Sequence, residues 1–140
     1  MTHFGILCPV DTSHLNTMTT VGCELLRRGH RVTVFNFLDA KAKTLATGLE
    51  FQPFAEEEFP VGWFAEILGQ RGKLSGLAAL RHTLKAGAKT SDAILREAPI
   101  AIKKAGISCR AFKLHIRGGR DAHPTRVLLF FEIQFKCRTA

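Results

Sequence analysis

The sequence predicts an α/β fold in which a parallel sheet with flanking helices forms a Rossmann-like domain, and three observations favour this class. A compact apolar run at residues 4–8 is bounded by Pro9, as is typical of a buried strand. From Met18 apolar residues recur with helical spacing until Gly29 stops the pattern. A second strand-like run at residues 31–37 follows after a short link, so the three segments form a βαβ unit.

The turn between the first strand and the helix is the predicted place for a site. Asp11, Thr12, Ser13 and Asn16 are residue types that end strands and begin helices. His14 lies among them, where the first strand gives way to the helix. In open α/β sheets this carboxyl edge is where ligands bind.

The next elements are shorter. Asp39 is predicted to cap a short helix over residues 40–46, which ends at Gly48. The alternation of apolar and polar side chains in residues 49–54 predicts a third strand or an extended segment, and Pro53 indicates that its end is irregular or at an edge.

Residues 62–106 have a mainly helical pattern, with apolar side chains between Trp63 and Leu84 that are expected to lie mostly in the core. Ser91 and Asp92 are expected to cap a helix that runs toward Pro99. The glycines that are expected to divide this region into short helices are Gly69, Gly72, Gly76 and Gly87.

Composition indicates a folded single domain without a membrane span. The chain has 140 residues, of which 46% are hydrophobic and 23% charged, and no apolar run approaches the roughly 18 residues that a span needs. The first residues lack the pattern of a signal peptide, so we expect a cytoplasmic location. The four cysteines form no C-x-x-C pair, which favours free thiols.

The formal charge of +8 is unevenly distributed. Residues 106–140 hold 7 of the 20 Lys and Arg but only 2 of the 12 Asp and Glu. A further strand is expected after Gly106, yet Arg110, Lys113 and Arg117 interrupt the sequence there, and only residues 127–135 have the composition of a strand. We therefore expect a Rossmann-like domain over residues 1–106 and a basic tail over residues 107–140.

Three segments carry a family resemblance. Residues 13–18, S-H-L-N-T-M, are similar to the motif G-H-x-N-P-M, with Ser13 for glycine and Thr17 for proline. Residues 25–35 are similar to L-x-x-R-G-H-x-V-T-x-F, and residues 46–54 to G-x-x-F-x-P. In this order they resemble the start of a GT-B glycosyltransferase of the UDP-glycosyltransferase type, near the zeaxanthin glucosyltransferase and macrolide glycosyltransferase groups.

The resemblance implies a fold of two Rossmann-like domains, of which the first binds the acceptor and the second binds a nucleotide sugar. It covers only most of the first domain and stops near Ile107, where the expected strand is also missing. A frame change or a gene fragment would explain both. The donor would be a UDP-sugar whose site is not present here, no other cofactor or metal is expected, and the chain alone should not transfer sugar.

The resemblance also implies site residues. His14 matches the family's general base, which takes a proton from the acceptor hydroxyl. Ser13, Asn16, Trp63 and Phe64 are the expected contacts of a small hydroxylated acceptor that is lipophilic in character. The aspartate that orients the base in the family lies after the missing strand, and Asp11 is expected only to cap the turn.

Other interpretations remain open from the residues. The chain could be a small basic protein whose residues 110–138 contact nucleic acid or an anionic lipid surface. It could also be a truncated product without function, with an unpaired sheet edge. A metal site is disfavoured, because the spacings of the candidate ligands are unlike those of zinc modules. These candidate ligands are Cys109, His115, His123 and Cys137.

Overall fold

The computed structural model describes residues 2–107 and the backbone of residues 133–136. The predicted α/β class is confirmed, because strands and helices alternate along the described chain. The elements are β1 (His3–Leu7), α1 (Thr12–Arg27), β2 (Arg31–Asn36), a 3₁₀ turn (Leu38–Ala40), α2 (Lys41–Leu45), β3 (Glu50–Pro53), α3 (Trp63–Gly72), α4 (Gly76–Lys104) and β4 (Ile133–Lys136).

The sheet has the strand order β3-β2-β1-β4. β1, β2 and β3 are parallel, with Ile6 opposite Val34 and Val34 opposite Phe51. β4 lies antiparallel on the other side of β1, and it overlaps the end of residues 127–135, whose composition favoured a strand, and ends one residue later at Lys136. The predictions for residues 108–132 and 137–140 lie outside the described residues.

Helix α1 begins and ends where the sequence places the signals for a helix start and stop. The Asp11 carboxylate caps its first turn by accepting a hydrogen bond from the His14 backbone N–H at 3.3 Å. Gly29 follows the helix with a φ of 80°, which is the left-handed conformation that favours glycine and ends a helix. The helix starts six residues before Met18, because the cap and not the first apolar residue sets its beginning.

Apolar side chains cover both faces of the sheet. On one face Val32 and Val34 of β2 pack with Leu49 and with α1 residues such as Met18. On the other face α4 packs against the sheet through residues that include Ile102. The remaining buried members of this second cluster are Leu7, Phe35, Phe37, Phe54, Phe59, Ala93, Ala98, Ala101 and Ile107. The parallel sheet is therefore the middle layer between α1 and α4.

The predicted division of residues 62–106 is only partly correct. A break does occur between α3 and α4, before Gly76. However, α4 is a single helix of 29 residues that runs through Gly87 and Pro99, and Ser91 and Asp92 lie in its interior and not at a cap. A glycine costs a helix only about 1 kcal/mol, and the packing of the second half of α4 on the sheet offsets that cost.

The expectation that the apolar residues between Trp63 and Leu84 are mostly core is wrong. α3 has no buried residue, and Leu77, Leu80 and Leu84 are 62%, 53% and 63% exposed. The buried residues of α4 begin only at Ala93, so its first half extends past the sheet and has α3 as a neighbour. None of the helices that the structure describes has the length and apolar character needed to cross a bilayer.

Asp39 does not cap the short helix that follows it. It lies in the 3₁₀ turn, and α2 begins after Ala40 without a side-chain cap. The Asp39 carboxylate accepts hydrogen bonds from the backbone N–H groups of Gly62 and Phe64 instead. It therefore caps α3 from a distant part of the chain, a role that no local sequence signal indicates.

Candidate functional site

A cavity of about 440 Å³ opens at the carboxyl ends of β1 and β2, where Pro9, Val10 and Asp11 follow β1 and Phe37 follows β2. α3 and α4 form its other walls. Its volume falls in the range of sites for small molecules, and the carboxyl edge of a parallel sheet is where α/β folds bind ligands.

The wall from α3 is aromatic and aliphatic, with Trp63, Phe64, Ile67 and Leu68. The Trp63 ring is held edge-on against Phe59, with 4.7 Å between ring centroids. The Lys89 ammonium lies 4.9 Å from the centre of the Phe59 ring and 5.6 Å from that of Trp63. These contacts stabilise a fixed apolar surface.

The wall from α4 supplies polar groups, as do Arg71 at the end of α3 and Asp11 after β1. Nε2 of His82 lies 3.1 Å from Oε1 of Gln70, while its Nδ1 is buried without a partner among the described residues. His82 is half-buried on its helix and lines the cavity. The other α4 residues of the wall are Thr83, Ala86, Gly87, Thr90, Ser91 and Ile94.

This α4 wall was missed from the sequence. The expected break at Gly87 separated residues that in fact share one face of a continuous helix. Thr83, Thr90 and Ile94 are spaced by seven and four residues, which is the repeat of one helix face. That spacing could have indicated the wall if Gly87 had been interpreted as an interior residue.

His14 lies in the first turn of α1, next to the cavity. Its Nδ1 atom is 2.7 Å from one carboxylate oxygen of Asp11 and 2.8 Å from the other. The hydroxyl of Ser13 donates a hydrogen bond to the same carboxylate at 2.7 Å. Both side chains of the His14–Asp11 pair are about one-third exposed, at 36% and 37%. The pair is therefore accessible to a small molecule at the cavity edge.

Asp11 is held as a carboxylate. Partial burial acts to raise the pKa of its carboxyl, but the hydrogen bonds from Ser13 and His14 outweigh this effect and lower the pKa below its ordinary value. The cap that the sequence predicted for Asp11 is confirmed. Its contact with the His14 ring was missed, although the i, i+3 spacing at a helix start allows it.

The structure brings some of the proposed site residues together. Trp63 and Phe64 line the cavity, and Asp11 lines it as well. His14 and Ser13 are joined to this edge through the Asp11 carboxylate. Asn16 is exposed on α1 and is not part of the cavity lining.

Two other predictions can be placed only in part. Within the described ranges, no group of three His, Cys, Asp or Glu side chains could hold a metal ion. The candidate ligands from Cys109 to Cys137 and most of the basic segment at residues 110–138 lie outside those ranges.

The chain is similar to the zeaxanthin glucosyltransferase of Pantoea ananas, with 29% identity over 101 residues. The alignment covers 72% of this chain but only 23% of that relative, so the chain spans about a quarter of the relative's length. No family model and no solved structure matches the chain. The similarity supports a relationship to glycosyltransferases, and the three-stranded parallel sheet is consistent with it.

Proposed function

We propose that residues 1–106 form the acceptor-binding part of a glycosyltransferase, and that His14 is the general base of sugar transfer. One observation carries this proposal: His14 lies at the carboxyl end of a parallel sheet, joined through Asp11 to a cavity that Trp63 and Phe64 line. An imidazole and an apolar binding surface thus meet at one edge of the fold.

The proposed chemistry is the transfer of a hexose from a UDP-sugar to a hydroxyl of the acceptor. The hydroxyl oxygen forms a bond with the anomeric carbon, while the bond between that carbon and the UDP oxygen breaks. His14 takes the hydroxyl proton as this bond forms, which a neutral imidazole can do near pH 7. No metal is needed for this proton transfer.

The proposed acceptor is a lipophilic molecule with a hydroxyl group. The cavity is lined mainly by aromatic and aliphatic side chains, which bind apolar surface, and its few polar groups can orient the ligand. Zeaxanthin appears in the name of the relative from Pantoea ananas, and a lipophilic acceptor here agrees with that name. Trp63 and Phe64 would contact the apolar body, and the hydroxyl would face His14.

The donor is proposed to bind outside residues 1–106. The chain spans about a quarter of the relative's length. The family that the sequence resembles binds its nucleotide sugar on a second domain. The pure chain should therefore bind an acceptor without transferring sugar. Formation of a glycoside when the chain is incubated with UDP-glucose and an acceptor would contradict this part of the proposal.

Acceptor binding can be tested with 2-naphthol, an apolar ring that carries a hydroxyl. Trp63 is the single tryptophan of the chain and lines the cavity, so its fluorescence should change and saturate as naphthol is added. Phe64→Ala should weaken binding by up to about tenfold, because an aromatic ring contact contributes about 0.5–1.5 kcal/mol. Leu77→Ala is the matched control, since Leu77 is exposed and lies outside the cavity lining. Equal affinities of the two variants would contradict the assigned site.

A further inference from the structure

We propose that Asp11 is the positioning residue for His14, and that its carboxylate selects the imidazole tautomer that can act as a base. The catalytic meaning of this inference rests on the proposed function. The hydrogen-bond geometry and the experiment that tests it do not depend on that function. It assigns to Asp11 a second role beside that of helix cap, and it places the orienting carboxylate three residues before the histidine.

The chemistry of the two groups determines the direction of the hydrogen bond between Asp11 and His14. An ionised carboxylate is an acceptor only, and both Asp11 oxygens lie within 2.8 Å of Nδ1 of His14. Nδ1 must therefore carry the proton that is shared with Asp11. In the neutral ring the lone pair is then on Nε2, because the hydrogen bond of one ring nitrogen decides the state of the other.

Asp11 is itself held in place by hydrogen bonds. Its carboxylate accepts from the Ser13 hydroxyl at 2.7 Å and from the His14 backbone N–H at 3.3 Å. The Asp11 backbone is extended, as an N-cap requires, and its carbonyl accepts the first helical hydrogen bond from Leu15 at 3.0 Å. Hydrogen bonds therefore hold the carboxylate against the first turn of α1, and the carboxylate in turn holds the imidazole.

The proposed catalytic pair, Asp11 and His14, is assembled within the first turn of α1. The family resemblance would place the orienting aspartate after a strand beyond Ile107. The Asp11 contact needs nothing beyond the first turn of α1, so the acceptor-binding part can hold its base in the reactive tautomer by itself. In serine proteases the loss of the correct tautomer lowers kcat by about 10⁴-fold, which indicates how much such a contact can matter.

The test is the tautomer of His14 in the full 140-residue chain, measured by long-range ¹H–¹⁵N NMR of the histidine rings. The six histidines are separated by comparison with a His14→Gln variant. Spectra are taken in alkaline solution, where imidazoles are neutral and Asp11 is ionised. In the wild type we expect His14 to be protonated on Nδ1 and unprotonated on Nε2.

Two substitutions separate the cap from the contact with the ring. Asp11→Ser keeps a favourable N-cap but is too short to reach the imidazole, so the Nδ1-protonated form should no longer be dominant. Asp11→Asn keeps both a cap and an acceptor oxygen and should retain the wild-type tautomer. Ser13→Ala removes only one donor to the carboxylate and should also retain it.

The outcomes are decisive independently of acceptor binding. A wild-type ring protonated on Nε2, or an unchanged tautomer in Asp11→Ser, would overturn the role of Asp11. The fold of each variant is checked through the emission of Trp63, and if Asp11→Ser proves unfolded, Asp11→Asn and the wild type still give the tautomer. Failure of naphthol to bind would contradict the proposed function while leaving this assignment intact.

Discussion

The carboxylate of Asp39 accepts a hydrogen bond from the backbone N–H of Phe64 at 2.8 Å, although 25 residues separate them in the chain. The other carboxylate oxygen accepts from the N–H of Gly62. The cap residue of α3 is Gly62, which has no side chain that could satisfy these donors. A side chain that follows β2 therefore fixes the start of the helix that presents Trp63 and Phe64 to the cavity.

Asp39→Ala should destabilise the fold and loosen this wall. Loss of a helix N-cap costs about 1 kcal/mol, and both N–H groups would lose their partner. We expect the free energy of unfolding in urea to fall by about 1 kcal/mol and the binding of 2-naphthol to weaken. Asp92→Ala is the control for charge, because Asp92 is 74% exposed and forms only a surface ion pair with Arg96. Equal effects of the two substitutions would contradict the role of Asp39 as a tertiary cap.

Gly22 is predicted to be favoured over alanine where α1 crosses the sheet. A Cβ atom at this position would lie 2.6 Å from Cδ1 of Leu49 and 3.2 Å from Cδ1 of Ile6, and both side chains are buried. Gly22→Ala should cost about 1–3 kcal/mol by overpacking, of which the helix propensity of alanine offsets up to about 1 kcal/mol.

Gly69→Ala provides the matched control for Gly22→Ala. Gly69 is also inside a helix, but a Cβ there meets nothing within 4 Å. We expect it to stabilise the protein by about 0.5–1 kcal/mol in the same urea experiment. A gain of similar size in both variants would show that α1 can move away from the sheet at no cost.

Much of the fold follows from local signals. The apolar run of β1, the cap at Asp11 and the stop at Gly29 are short-range features, and each determines the structure found at its position. The extent of α4 does not follow from such signals. Gly87 and Pro99 disfavour a helix locally, but residues beyond Ala93 pack on the sheet and carry the helix through both positions.

The candidate site was predictable only to the extent that it is local. His14 stands out in the turn after β1, and the resemblance selects the same residue. The α4 wall with His82, and the cap of α3 by Asp39, depend on which distant segments meet in the fold. The Asp11–His14 contact is local in sequence, yet it was not foreseen, because the spacing alone does not show that the ring turns toward the cap.

Phe59 is predicted to support the aromatic wall. It is 1% exposed, and its ring centroid lies 4.3 Å from that of Phe37 and 4.7 Å from that of Trp63. Phe59→Ala should cost about 3–5 kcal/mol, so the milder Phe59→Leu is preferred for native measurements. In Phe59→Leu we expect a shift of the Trp63 emission and a loss of stability of about 1 kcal/mol. An unchanged emission spectrum would mean that Phe59 does not hold the indole in place.

The buried thiol of Cys8 gives the protein a dependence on alkaline pH. Cys8 is 3% exposed at the end of β1, and burial raises the pKa of its thiol to about 11, although the amide of Asn36 hydrogen-bonds to the sulfur and partly opposes the shift. An unfolded thiol has a pKa of about 8.5. Below that pH both states hold the proton, and the full contribution of the thiol to stability is present.

As the pH rises from about 8.5 to 11, the unfolded chain loses the Cys8 proton first, so the free energy of unfolding should fall by an amount on the order of 2–3 kcal/mol. Lysines and other groups titrate in the same range, and the measurement is therefore the difference in slope between variants. Cys8→Ala should be less stable at neutral pH but lose less stability on going to alkaline pH. Parallel curves for the wild type and Cys8→Ala would show that the Cys8 thiol reaches water in the folded protein.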